Sequence, residues 1–186
     1  MENLDRKIVA ILATNGFEES ELIEPKKALE EAGADVHIVS LESGEIKGWK
    51  DGNWSTSFKV DKTINQVSHK DYNALMLPGG VINPDTLRTN EKAVSFIRSF
   101  FENHKPVAAI CHAPILLAEA DVLKGRKITS YKSIKTDLIN AGANWVDEEV
   151  VVDSGLVTGR TPKDLPAFNA KLVEEVYEGK HEKQMA

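Results

Sequence analysis

The chain of 186 residues has one cysteine, Cys111, so it can form neither an internal disulfide nor a zinc cluster of several thiolates. Both absences fit a reducing compartment. No apolar stretch approaches the ~18 residues that a membrane-crossing helix needs. Residues 1–5 lack the charged-then-apolar layout of a secretory leader, and a cytoplasmic protein with no membrane attachment is expected. Repeats, linkers and low-complexity tracts are missing too, which leaves a single domain over residues 1–186, long enough to bury a sizeable core. The net charge of −6 argues against bulk affinity for nucleic acid or anionic membranes and leaves small molecules and proteins as substrates. With no thiolate cluster and no His-x-x-x-His pair, neither a metal nor a cofactor is expected.

What the chain does have is a cysteine in an unusual place. Residues 106–110 form a short apolar run that reads as a buried parallel strand, and residues 115–120 read as a helix, with Pro114 tolerated in its first turn. Cys111 therefore stands on a strand-to-helix turn, with Ala109 two residues before it and Ala113 two after. This small-x-nucleophile-x-small spacing follows the logic of a nucleophile elbow, whose small residues let strand and helix approach closely. A lone cysteine is more often an inert buried hydrophobe, but the elbow favours a nucleophile. The following helix N-terminus favours a thiolate, so a pKa below the ~8.5 of a free thiol is expected. Neighbouring side chains on such a turn tend to diverge, which leaves the His112 imidazole open at this point. Its backbone N–H is well placed for an oxyanion hole.

Around that turn the pattern alternates. Residues 7–13 and 36–41 are strands flanking a helix over 18–33, which has acids at its front, lysines later and Gly33 at its end. Pro25 either bends that helix or marks its effective start. Residues 42–62, with spaced glycines among Trp49, Trp54 and Phe58, fit a hairpin insertion whose tryptophans pack over the core edge rather than forming a binding patch. A strand over 72–77 runs into Gly79 and Gly80, and an amphipathic helix covers 91–103. A short strand (127–130), a short helix (133–141), a hairpin turning at 153–155 and a last helix (162–177) follow, with a polar tail from Gly179 that is expected to fray. The sum is an α/β fold, a three-layer α/β/α sandwich with a mostly parallel flavodoxin-like sheet and a small β-hairpin insertion.

Taken together, residues 17–21, 77–80, 109–114, 129–131, 139–147 and 158–165 resemble the PfpI-type intracellular protease family of the DJ/PfpI superfamily, which has a class I glutamine amidotransferase-like fold. The resemblance spans nearly the whole chain. It implies Cys111 as nucleophile, His112 as its partner, and the N–H groups of Gly80 and His112 as oxyanion donors. It also implies a third acid after the Pro78-Gly79-Gly80 turn, delivered across a subunit interface; Asp85 is the matching position, in a segment one residue longer than usual. A homodimer or larger homo-oligomer follows. Glu21 aligns with the superfamily's cysteine-contacting glutamate, and Glu18 is the acid characteristic of this family. A neutral Glu21 would donate a hydrogen bond to the sulfur and favour its thiolate, although acids at a helix front also complement the helix dipole. No downstream His-x-Glu pair is present, so glutamine amidotransfer is not expected.

The leading expectation is a stress-protective hydrolase whose Cys111 attacks reactive carbonyls: methylglyoxal, glyoxal or their early adducts on proteins. An intracellular cysteine peptidase of PfpI type shares the first step, thiolate addition with a stabilised oxyanion. A non-enzymatic redox-sensing chaperone that oxidises Cys111 is the rival from another class. It would need no proton shuttle, so His112 and Asp85 favour the enzyme.

Overall fold

The computed structural model describes residues 3–184 and 186. The continuous apolar run near the start forms β1 (Ile8–Leu12), and after a tight turn comes the two-residue β2 (Phe17–Glu18). Helix α1 (Glu19–Glu31) starts one residue later than the acid pattern suggests, because Glu18 is still extended. Pro25 lies inside α1 and does not mark its start, so one helical hydrogen bond is given up there. Next are β3 (Asp35–Ser40), the hairpin β4 (Glu45–Lys50) and β5 (Asn53–Lys59), and β6 (Lys62–Thr63). β7 (Ala74–Leu77) leads through Pro78, Gly79 and Gly80 into α2 (Ile82–Leu87), a short helix that the apolar periodicity does not reveal. α3 (Glu91–Glu102) is capped by the Asn90 side chain, which accepts the N–H of Ala93.

The nucleophile segment folds as expected, with β8 (Val107–Ile110) running into α4 (Pro114–Glu119). A two-stranded ribbon of β9 (Lys127–Ile128) and, after α5 (Lys135–Asn140), β10 (Asn144–Trp145) follows. β11 (Val150–Asp153) and β12 (Leu156–Gly159) are the expected hairpin, and α6 (Leu165–Glu178) is the last helix.

Seven strands pair in the order β11-β12-β8-β7-β1-β3-β6, and every pairing except β11 with β12 is parallel. Alternation along each strand divides the core. Ala10, Leu12, Val107 and Ala109 face the layer of α3 and α4, where Ile97, Phe100, Phe101, Leu116 and Leu117 pack. Val9, Ile11, Ala108 and Ile110 face α1 and α6, against Leu22, Leu29, Phe168 and Leu172. This is the three-layer sandwich, with helices on both faces of a mostly parallel sheet. Among the described residues no helix is long and apolar enough to cross a membrane.

The hairpin extends beyond expectation, since β2 joins it as a third strand, pairing Phe17 with Gly48 and Glu18 with Trp49. Residues 179–184 are docked on the fold and not frayed. Gln184 is fully buried, His181 N–H donates to the His104 carbonyl at 2.9 Å, and the His104 ring contacts the Gln184 carbonyl. Apolar periodicity misses this because the anchoring groups are polar.

Candidate active site

Strand order reverses between β1 and β7, which opens a crevice at their carboxyl ends, and the site is built from the loops that leave β1, β7 and β8 there. Cys111 has φ 62, the left-handed region that non-glycine residues rarely adopt. Backbone contacts on both sides fix it: its N–H donates to the Gly159 carbonyl at 3.0 Å, and its own carbonyl accepts the Tyr131 N–H at 2.8 Å. Ala109 and Ala113, the small residues of the elbow, are fully buried.

The two glycines after β7 are required by close approach. A Cβ on Gly79 would stand 2.6 Å from Oε2 of Glu21 and 2.8 Å from Cβ of Cys111. Gly80 has φ +76, and a Cβ there would lie 2.4 Å from the Gly16 carbonyl oxygen. Asn83, buried in α2, ties the loops together. Its Oδ1 accepts the Thr14 N–H at 2.7 Å, and its Nδ2 donates to the Pro78 and Gly79 carbonyls at 2.9 and 3.2 Å. Sequence reasoning passed over Asn83; its only local signal was its place between the glycine turn and Pro84.

The acids at the front of α1 separate by helical position. Glu18 and Glu21, three apart, both line the pocket, while Glu19 turns to the hairpin and accepts the Thr56 N–H at 3.2 Å. Hydrogen bonds from Ser55 and Thr56 hold the Glu19 carboxyl below the usual carboxylate range. Burial pushes Glu18 up, with Asp51 and Glu19 adding repulsion. Glu21 has no exposed surface, and its Oε2 accepts the Gly79 N–H at 2.8 Å. Its other oxygen finds no hydrogen-bond partner by geometry, and the Cys111 thiol is the polar group its carboxyl meets. Burial pushes its pKa up to about 8 despite the Gly79 N–H, with the negative charge of Glu18 adding to the rise. Glu21 is thus a neutral acid at pH 7, able to donate to sulfur.

Cys111 corrects one expectation. Burial pushes its thiol up, and an ionised Glu21 would push it further, while the N–H groups of Gly80 and His112 directed at the sulfur pull it down. The sequence argument counted the helix N-terminus and the donors but not desolvation. α4, moreover, begins three residues beyond the sulfur and is only six residues long. With Glu21 neutral the repulsion vanishes and its O–H joins the two N–H donors, so the thiolate depends on those three hydrogen bonds.

The imidazole of His112 converges on the sulfur, although neighbouring side chains on such a turn tend to diverge. Nδ1 stands 3.2 Å from Sγ of Cys111, Nε2 lies 3.1 Å from Oγ of Ser133, and the ring stacks on Tyr131 with centroids 4.7 Å apart. Burial lowers the His112 pKa, so the ring is neutral at pH 7. With Cys111 in its thiol form, the tautomer that pairs both contacts has Nδ1 accepting the S–H and Nε2–H donating to Ser133; with the thiolate, the other tautomer would donate Nδ1–H to sulfur. Ser133 is a further contributor that the sequence reading did not pick out, and Tyr131, singled out there only within the 129–131 motif, gains its role from the stack.

Asp85 does not reach His112 within one chain. Its exposed carboxylate pairs with Arg88 at 3.4 Å, though Asp85 and His112 both line a small cavity of about 140 Å³ beside the main pocket. The main pocket, about 470 Å³, is walled by Trp49, Val81, Ile82, Tyr131 and Pro162 above Cys111. Trp49 is therefore a pocket wall rather than a cover for the core edge. Trp54, half exposed, packs on it edge-to-face at 5.3 Å.

A sequence model of the DJ-1/PfpI family matches residues 6–175. This chain belongs to that family. "Putative cysteine protease YraA" of Bacillus subtilis is 49% identical over 163 residues, spanning 88% of this chain and 94% of that protein. "Protein/nucleic acid deglycase 2" of Escherichia coli is 46% identical over 168 residues, 90% of this chain and 96% of that protein. The crystal structure of Drosophila melanogaster DJ-1beta superposes with a TM-score of 0.82 at 30% identity, covering 92% of this chain and 94% of that one. In this member of the DJ-1/PfpI family the elbow cysteine, Gly80 and the buried glutamate of α1 line one pocket, with Gly79 packed against Cys111 and Glu21.

Proposed function

We propose that the chain is a cysteine-dependent hydrolase of reactive carbonyls, converting methylglyoxal and glyoxal and reversing their early adducts on proteins. The observation that carries this reading is the thiol–imidazole contact of 3.2 Å at the floor of a pocket of about 470 Å³, a size suited to a small molecule or a modified side chain. With methylglyoxal, Sγ adds to the aldehyde carbon as its proton passes to Nδ1 of His112. The carbonyl electron pair moves onto oxygen, held by the N–H groups of Gly80 and His112. The imidazolium returns its proton to that oxygen. The freed imidazole then carries a proton from the first carbon to the second while the hydroxyl proton passes from the first oxygen to the second, leaving a lactyl thioester on Cys111. Water hydrolyses the thioester and restores the thiol, so the net reaction is hydration and needs no redox partner.

In this reading Asp85 of a neighbouring copy orients the imidazole. Val81 and Ile82, 62% and 41% exposed at the pocket rim, support a homo-oligomer that covers them. The E. coli relative's name extends to nucleic acids. With a net charge of −6, we assign this chain free dicarbonyls and protein adducts as substrates, in the cytoplasm.

The test is lactate formation from methylglyoxal in the presence of chelator, run beside a fluorogenic peptide set. Cys111→Ala and His112→Ala should abolish lactate formation. Lactate production unaffected by Cys111→Ala, or absent while peptides are cleaved rapidly, overturns the proposal in favour of the peptidase suggested by the B. subtilis relative's name.

A further inference from the structure

The far end of the sheet from Cys111 holds a second cluster. α6 ends at Glu178, and Gly179, with φ 85, reverses the chain. The hydrogen bond from His181 N–H to the His104 carbonyl then brings the His181 imidazole back over the last turn of α6. Its Nε2 stands 2.9 Å from Oε2 of Glu175 and 3.9 Å from Oε2 of Glu178. Among the described residues this is the one group of three His, Cys, Asp or Glu side chains whose ligand atoms all lie within 4.8 Å of one another.

A second observation concerns polar groups without partners. Glu175 is only 5% exposed. Its Oε2 and the Nε2 of His181 are buried and close, yet neither makes a hydrogen bond, because the geometry between them is wrong for one. Gln184 is fully buried with both amide atoms unpartnered, and its Oε1 and the His181 ring crowd the same face of Gly155. Buried polar groups left this way are costly unless something satisfies them. Among the described residues no lysine or arginine forms an ion pair with Glu175 or Glu178, and Lys171 is taken by Glu174.

We propose that Glu175, Glu178 and His181 form a structural zinc site that fastens the tail onto α6. One imidazole nitrogen and two carboxylates suit Zn²⁺, whereas Mg²⁺ and Ca²⁺ prefer oxygen alone. Ligand atoms about 2.0–2.2 Å from a tetrahedral zinc stand roughly 3.3–3.6 Å apart. The observed 2.9 and 3.9 Å straddle that spacing, and the half-exposed Glu178 side chain has room to adjust. Water or the Gln184 amide oxygen completes the shell. Glu178, His181 and Gln184 lie beyond residue 175, where the family match ends, while Glu175 is its last residue. The site is independent of the chemistry proposed at Cys111.

The test uses the full chain carrying Cys111→Ala, which removes the competing thiolate, after chelator treatment and dialysis. Calorimetric titration should give one Zn²⁺ per chain and no comparable binding of Mg²⁺. His181→Ala and Glu175→Gln should weaken Zn²⁺ binding at least tenfold, and Glu178→Gln, at a half-exposed position that the fold tolerates, should weaken it several-fold. Zn²⁺ at a hundredfold excess over Kd should raise the melting midpoint by about 5–10 °C. In the chain with an intact tail, the imidazole NMR signal that His181→Ala removes should shift on adding Zn²⁺. Binding that survives His181→Ala, a His181 signal that does not respond, or equal binding of Mg²⁺ overturns the proposal.

Discussion

Replacing Glu21 with Gln tests whether the acid beneath Cys111 is neutral in the folded protein. The carboxyl has no exposed surface, and its pKa rises from 4.5 to about 8 on folding. Because the folded value is the higher one, the unfolded chain loses this proton first. Between pH 4.5 and 8 the native state therefore holds more protons, and the contribution of Glu21 to stability declines as pH rises. The full shift corresponds to about 5 kcal/mol, comparable to the whole stability of many domains. Glutamine keeps an oxygen for the Gly79 N–H and an N–H for the sulfur but cannot ionise. Urea denaturation at pH 5.5, 6.5, 7.5 and 8.5 should show the stability of Glu21→Gln gaining on the parent by about 1.4 kcal/mol per pH unit, then levelling above pH 8. Titrating groups that do not touch Glu21 cancel in that difference, while Glu18 and Cys111, whose charges act on Glu21, add a smaller change of their own. A difference that stays flat across the range would mean that Glu21 is ionised in the native state, and the account of the Cys111 thiolate would fail with it.

Three further outcomes follow from the same geometry. Alkylation of Cys111 by iodoacetamide at pH 7 should slow at least tenfold in Glu21→Leu, which keeps the burial but loses the donor, and stay within about threefold of the parent in Glu21→Gln; equal rates in all three proteins would remove Glu21 from thiolate stabilisation. Gly79→Ala forces a Cβ against Glu21 and Cys111 and should lower stability by about 2 kcal/mol or more while slowing alkylation, whereas a variant of parental stability would show that the loop yields freely. Mixing inactive Cys111→Ala chains with inactive Asp85→Ala chains should restore part of the methylglyoxal activity, because some interfaces then pair an intact Cys111 with an intact Asp85. No recovery despite measured subunit exchange would place Asp85 in its own chain's site or outside catalysis.

The sequence by itself determined the frame. Apolar runs marked β1, β7 and β8, because strands buried on both faces need apolar residues at every position, and small residues flanking one cysteine marked the elbow. The glycines after β7 were legible as a strand-ending turn, whereas the role of Glu21 came from the family resemblance and not from a local pattern. Tertiary structure decided what those groups do to one another. Glu21 and Gly79 are 58 residues apart and Thr14 and Asn83 are 69 apart, and no local pattern reports that their polar atoms meet. The convergence of His112 on the sulfur depends on Ser133 and Tyr131 holding the ring, and Trp49 became a pocket wall only when β2 paired with β4. The tail docks through buried polar side chains, which read in sequence as a solvated end. The direction of the Cys111 shift was hidden for a related reason. Desolvation is a property of the space around a group, and only the folded chain sets how much water is excluded from it.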